Sequence, residues 1–177
     1  VKPDLNAQNK NGDVALHLAI CNKRFDIEAV SVLLEKGADA NARDRRGRTP
    51  LYVVASLCGQ PERFGHRWPA VGMAKLLLKH GASLAEHSTN EQLTPLHAAA
   101  TNAHAKLVEF MLSRKGASVD AVDSTGATPL HHAAKSGSER VVLALLKWGA
   151  DPAAMDAEGK TALDAVTGMD SFSVRVR

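Results

Sequence analysis

Between residues 123 and 151 the apolar positions fall into two short blocks, each at helical spacing. Leu130, Ala133 and Ala134 form the first, a face of small residues that lets a neighbour approach closely. Val141, Val142, Leu145 and Leu146 form the second. Recurrence at three- and four-residue intervals turns one face of an α-helix toward a core. Thr128-Pro129 stands where the first helix opens: Thr can cap free N–H groups, and Pro at the first helical position costs no hydrogen bond. Gly137 breaks the first helix, and Gly149 ends the second as a left-handed C-cap. Ahead of both, Asp123-Ser124-Thr125-Gly126 is turn chemistry, with Gly126 free to take positive φ. The pattern predicts a unit of turn, helix, tight turn, helix and loop.

That unit recurs. Leu16, Leu51, Leu96, Leu130 and Leu163 stand in the contexts VALHLAI, TPLYVVA, TPLHAAA, TPLHHAA and TALDAVT, spaced by 35, 45, 34 and 33 residues. A second marker keeps the same phase: Gly37-Ala38-Asp39, Gly81-Ala82-Ser83, Gly116-Ala117-Ser118 and Gly149-Ala150-Asp151. The chain resembles an ankyrin-repeat protein, whose units run to about 33 residues and open their first helix on a TPLH-type motif. The resemblance covers nearly all of residues 1–177 and implies one all-α domain. It would be a solenoid of stacked helix-turn-helix units with projecting β-hairpin-like turns. Repeats are expected at about 9–41, 42–86, 87–120 and 121–153, with a partial repeat at 154–177. Pro3-Asp4-Leu5-Asn6-Ala7 resembles the tail of a preceding repeat, and a start at Val1 reads as a fragment boundary.

Departures from the pattern carry their own expectations. Val14-Ala15 replaces Thr-Pro in repeat one, which removes a cap worth about 1 kcal/mol. Repeat three has Thr89 where Asp is expected and Gln92 where the turn glycine stands. A left-handed non-glycine costs roughly 1–2 kcal/mol, so the turn before Thr94 is predicted to be reshaped. Repeat three also carries an extra residue within Ser113-Arg114-Lys115. The 45-residue interval marks an insertion in repeat two, residues 59–69, GQPERFGHRWP. Its prolines and glycines predict a loop between the two helices of that repeat. Phe64 and Trp68 on it either close the loop or anchor a partner, while Trp148 is expected to be packed or covered by an adjacent repeat.

Composition adds little to this picture. Hydrophobic residues make up 45% of the chain, charged residues 23% and aromatics 4%. No apolar run approaches the roughly 18 residues of a transmembrane helix. Cys21 and Cys58 are too few for a disulfide framework and lack zinc-site spacing, so they read as packed thiols in a reducing compartment, cytosol or nucleus. A net charge of +3 falls well short of a dedicated nucleic-acid binder.

The inventory of chemistry points to binding. No metalloprotease, nucleophile-elbow, CxxC or phosphate-loop motif is present, and Thr49, Thr94 and Thr128 read as caps with no accompanying base. No enzyme activity, cofactor or metal is expected. His17, His97 and His131 fall within the repeat motif, where the resemblance implies bonds to backbone groups across the turn. His80 and His87 read as solvated. The resemblance further implies that a protein partner is met by turn residues and exposed positions of the first helices. Those are Lys10, Asn11, Asp13, Cys21 and Asn22 in repeat one, and Arg45, Arg46, Arg48, Ser56 and Leu57 in repeat two. Repeat three supplies Asn90, Glu91, Leu93, Thr101 and Asn102; repeat four supplies Ser124, Thr125, Ala127, Lys135 and Ser136.

Arg43, Arg45, Arg46 and Arg48 form a basic turn that reads either as a solvated tip or as a grip on an acidic ligand. Nucleic acid or acidic lipid is the least favoured ligand of this turn; for nucleic acid, the other turns are not basic and stacking aromatics are missing. Asn41, with Leu33, Asp39 and Ala40, resembles the context that asparaginyl hydroxylases accept. The functional expectation is a monomeric, non-catalytic scaffold or adaptor. The alternative is a regulatory or inhibitory module of a larger enzyme, channel or kinase.

Overall fold

A computed structural model describes residues 4–22, 26–57 and 69–167. Among these, the chain forms α1 (Ala15–Ile20), α2 (Ile27–Glu35), α3 (Pro50–Leu57), α4 (Ala70–Lys79), α5 (Pro95–Thr101), α6 (Ala105–Leu112), α7 (Pro129–Lys135), α8 (Glu139–Lys147) and α9 (Ala162–Thr167). The helices are too short to be stable alone and hold together through packing. Short first helices α1, α3, α5, α7 and α9 stack on one another in chain order. Second helices α2, α4, α6 and α8 stack likewise, and each pair α1/α2, α3/α4, α5/α6 and α7/α8 packs within itself. The result is an all-α solenoid of two helical layers. The core runs continuously between them, through Leu16, Leu51, Leu96 and Leu130 on the first helices and Met73, Leu77, Leu107, Met111 and Leu145 on the second.

Alanines on the first helices, such as Ala99, Ala100 and Ala133, are fully or almost fully buried, which allows the close approach of that layer. Gly126, Gly137 and Gly149 take φ of 76°, 69° and 86°, the left-handed values their turns require. Two apolar residues keep exposed surface. Trp148, at the C-cap of α8, remains 44% exposed, so its cover is partial. Leu163 is 70% exposed although it occupies the marker-leucine position, because no further first helix stacks on α9 among the described residues.

No described helix is long and apolar enough to cross a membrane. The insertion residues Phe64 and Trp68, together with Cys58, lie outside the described residues.

Candidate functional site

The turns ahead of the first helices share one construction. Asp44, Asp123 and Asp156 each use Oδ1 to accept N–H groups two and four residues on, at 2.8–3.0 Å. Asn9 does the same through its amide oxygen. A backbone bond then closes each hairpin, as from Asp44 N to Arg48 O at 3.1 Å and from Asp123 N to Ala127 O at 3.0 Å. Burial alone would raise the Asp44 and Asp123 carboxyls, but the hydrogen bonds outweigh it and hold both below the ordinary range.

Repeat three solves its missing Asp and Gly differently. Its hairpin closes from Ser88 N to Leu93 O at 3.0 Å, one residue longer, and Ser88 Oγ accepts Leu93 N at 3.1 Å. Gln92 still takes the left-handed conformation, with φ of 52°. Ser88 thus does the work expected at Thr89.

Neighbouring hairpins are tied tip to tip by backbone bonds: Thr89 N to Arg46 O at 3.1 Å, Ser124 N to Glu91 O at 2.9 Å and Ala157 N to Thr125 O at 2.8 Å. The motif histidines fasten hairpins from below. His17, His97 and His131 donate through Nε2 to Arg48 O, Ala127 O and Lys160 O, at 3.0–3.2 Å. These carbonyls belong to the next repeat, so each ring is a strut between units. The same rings accept the N–H of Val14, Thr94 and Thr128 at Nδ1, which fixes the neutral Nε2–H tautomer. At α7, Thr128 Oγ1 also meets His131 Nδ1, at 2.9 Å. Helix α1 begins at Ala15 without a side-chain cap, as Val14 dictates.

A second set of ties crosses the loops after the second helices. Asn6, Asn41 and Asp120 accept the N–H of Asp39, Ser83 and Asp151 at 2.8–3.1 Å. Asn41 also donates through Nδ2 to Gly81 O at 2.9 Å. Its amide is therefore a structural bridge, with both ends engaged.

The basic turn divides into two pairs. Arg43 is bonded to Glu86 and to His87 O, and Arg48 is bonded to Asp44. Both are tied to the fold, with side chains that stay 40% and 32% exposed. Arg45 and Arg46 remain exposed. With them along the tips stand exposed Asn90, Glu91, Ser124 and Thr125, and half-buried Leu93. On the first helices, Thr101 and Lys135 are exposed, while Ser56 and Asn102 are half-buried and bonded to carbonyls of their own helices. Leu57 corrects its assignment: at 7% exposure it belongs to the core and has no surface to offer a partner.

One arrangement escaped the sequence. His132 spans two repeats, with Nε2 donating to Asp123 Oδ2 at 2.8 Å and Nδ1 meeting Thr101 Oγ1 at 3.0 Å. Beneath it lies His97, edge-on at 5.2 Å between ring centroids. Burial, and next the proximity of His132, lowers His97 to a pKa of about 4. Residues 9 and 31 positions apart from His132 supply this clasp, so linear spacing gave no sign of it.

Comparison with known proteins decides the family. A family model described as "Ankyrin repeats (3 copies)" matches residues 1–64 and 70–156, and one described as "Ankyrin repeat" matches residues 46–89. The chain belongs to the ankyrin-repeat family. Ankyrin repeats are protein–protein interaction modules and are generally non-enzymatic. Among curated relatives, Neurogenic locus notch homolog protein 1 of Cricetulus griseus is 35% identical over 146 residues, covering 82% of this chain. Neurogenic locus notch homolog protein 2 of Homo sapiens is 34% identical over 143 residues, or 81% of the chain. In Xenopus laevis, Neurogenic locus notch homolog protein 1 is 32% identical over 158 residues, or 89%. The ankyrin segment spans only 5% of the length of the first two of these relatives and 6% of the third.

Proposed function

We propose that this ankyrin array is a non-catalytic scaffold or adaptor that recognises a protein partner along its hairpin edge and the adjoining first-helix surface. The observation that carries the reading is the coupling of fixed backbones to unoccupied side chains. Hairpin tips are bonded to one another through main-chain groups, whereas Arg45, Asn90, Ser124 and the side chains of Arg46 and Glu91 are left facing solvent. A backbone fixed in advance loses little freedom on binding, which is how a rigid surface gains affinity. The contact set is Arg45, Arg46, Asn90, Glu91, Leu93, Ser124 and Thr125, continued by Ser56, Thr101, Asn102 and Lys135. Arg45 and Arg46 favour an acidic stretch of the partner at the repeat-two end.

The array acts as a monomer in cytosol or nucleus. Its four tied hairpin–helix units give an extended surface of the kind solenoids use for recognition. The test is affinity capture with the parent beside an R45E/R46E/E91K variant whose melt matches it. Loss of one polypeptide from the variant supports the reading. Capture of the same polypeptides by both proteins, in the same amounts, contradicts it.

A further inference from the structure

The layer of second helices carries a surface that the hairpin edge does not use. Lys75 and Lys79 lie one turn apart on α4, on one face. Lys106, Phe110 and Arg114 follow at four-residue intervals along α6 and just past its end, and Lys115 comes next. Helices α4 and α6 stack side by side. The two rows are joined: Lys75 Nζ lies 5.8 Å from the centre of the Phe110 ring and the Arg114 guanidinium 4.7 Å from it. All five cations are exposed, and none forms an ion pair among the described residues. Glu109 is the lone carboxylate on these two helices.

The next helix, α8, stacks on α6 and continues the face with Arg140 and Lys147 against Glu139. Beside them Leu143 is 58% exposed and Trp148 44%. The extra residue of repeat three therefore has a consequence: Arg114 and Lys115 sit at the centre of a basic, aromatic-supported face.

Geometry narrows the occupant. Lys75 reaches across from α4 toward the Phe110 ring, so the cations of the two helices form one continuous patch. With cations against it, the Phe110 ring is not offered to a nucleobase for stacking. What remains is a broad array of long cationic side chains, bordered by an exposed Leu and Trp. That combination suits the headgroup region of an anionic bilayer, where Lys and Arg meet the phosphates and Trp sits at the interface. We propose that the second-helix layer, centred on Lys75, Lys79, Arg114 and Lys115, docks this protein on acidic phospholipid membrane.

The full chain is tested by co-sedimentation with vesicles of equal parts phosphatidylserine and phosphatidylcholine, and with phosphatidylcholine alone. Binding to the anionic vesicles only, weakened by added salt, is expected. Each cation near a charged bilayer is worth about fivefold in affinity, so K75Q/K79Q/K115Q should bind roughly a hundredfold more weakly. A K10Q/R45Q/R46Q variant removes the same charge from the hairpin edge and should bind within a few-fold of the parent. Thermal melts of both variants confirm folding.

No binding to anionic vesicles overturns the proposal, as does equal binding to phosphatidylcholine alone. Equal loss in the two variants overturns the location, because net charge would then be the cause. Tight capture of poly-L-glutamate without vesicle binding assigns the face to an acidic polypeptide and overturns the membrane. None of these results bears on the hairpin edge, whose test is partner capture.

Discussion

His97 is buried with both ring nitrogens committed, Nε2 to Ala127 O and Nδ1 to Thr94. Protonation would force a donor against the Thr94 N–H, so the folded state holds the ring neutral with a pKa of about 4 against 6.5 ordinarily. Because the unfolded chain takes up this proton first, stability from His97 is complete above pH 6.5. It falls away between pH 6.5 and about 4. At 1.36 kcal/mol per unit this is roughly 3 kcal/mol. His17 and His104, lowered chiefly by burial, add to the same slope. Denaturant unfolding across this range should show the decline, and H97Q should flatten it. Glycines offer a sharper contrast. A Cβ on Gly126, at φ of 76°, would meet Ala157 N at 2.9 Å, while one on Gly149 meets nothing within 4 Å. G126A should cost more than the roughly 1–2 kcal/mol of left-handed strain alone, and G149A about that much, by comparison of melts. The strut histidines were legible as residues that bond backbone, since they sit inside the repeat motif. That they bond the following repeat was not legible, because stacking sets the partner.

At the scale of elements, each hairpin is a closed loop organised by one side chain, and each helix is a packed face. Leu96 and Leu130 are buried between the layers. L96A or L130A should destabilise by roughly 2–5 kcal/mol in denaturant melts; an unchanged midpoint would remove them from the core. Helix positions were readable from apolar spacing and from Thr-Pro and Gly punctuation. The basic turn was not readable as a unit, because Asp44 within it and Glu86 beyond it claim two of its four arginines. Leu57 was misplaced for a related reason. The end of a first helix is exposed in an average repeat, but in α3 Leu57 turns inward against the core. Ser88, likewise, takes over a turn only because the hairpin lengthened by one residue.

Over the whole molecule, stability is close to a sum of repeats and their junctions, and the junctions are unequal. Tyr52 stands where repeats one, three and four carry the strut histidine, so the junction from repeat two to repeat three lacks that bond. Ala85 stands where Asn6, Asn41 and Asp120 accept the next loop's N–H, and it has no acceptor to offer Ser118. The local turn is already the same, with Ala85 N donating to Ser83 Oγ as Asn41 N does to Asp39. A85N should therefore supply the missing tie and raise stability by about 1 kcal/mol, read as a higher denaturation midpoint. Site-resolved cross-linking shows whether the tied hairpins are the binding edge. A photoreactive residue would be placed in turn at Arg46, Glu91 and Ser124 on the tips and at Ser31 on α2, and the products identified by mass spectrometry. One polypeptide should be captured from all three tip positions and not from Ser31. Capture from Ser31 alone, or equally from all four positions, would contradict it.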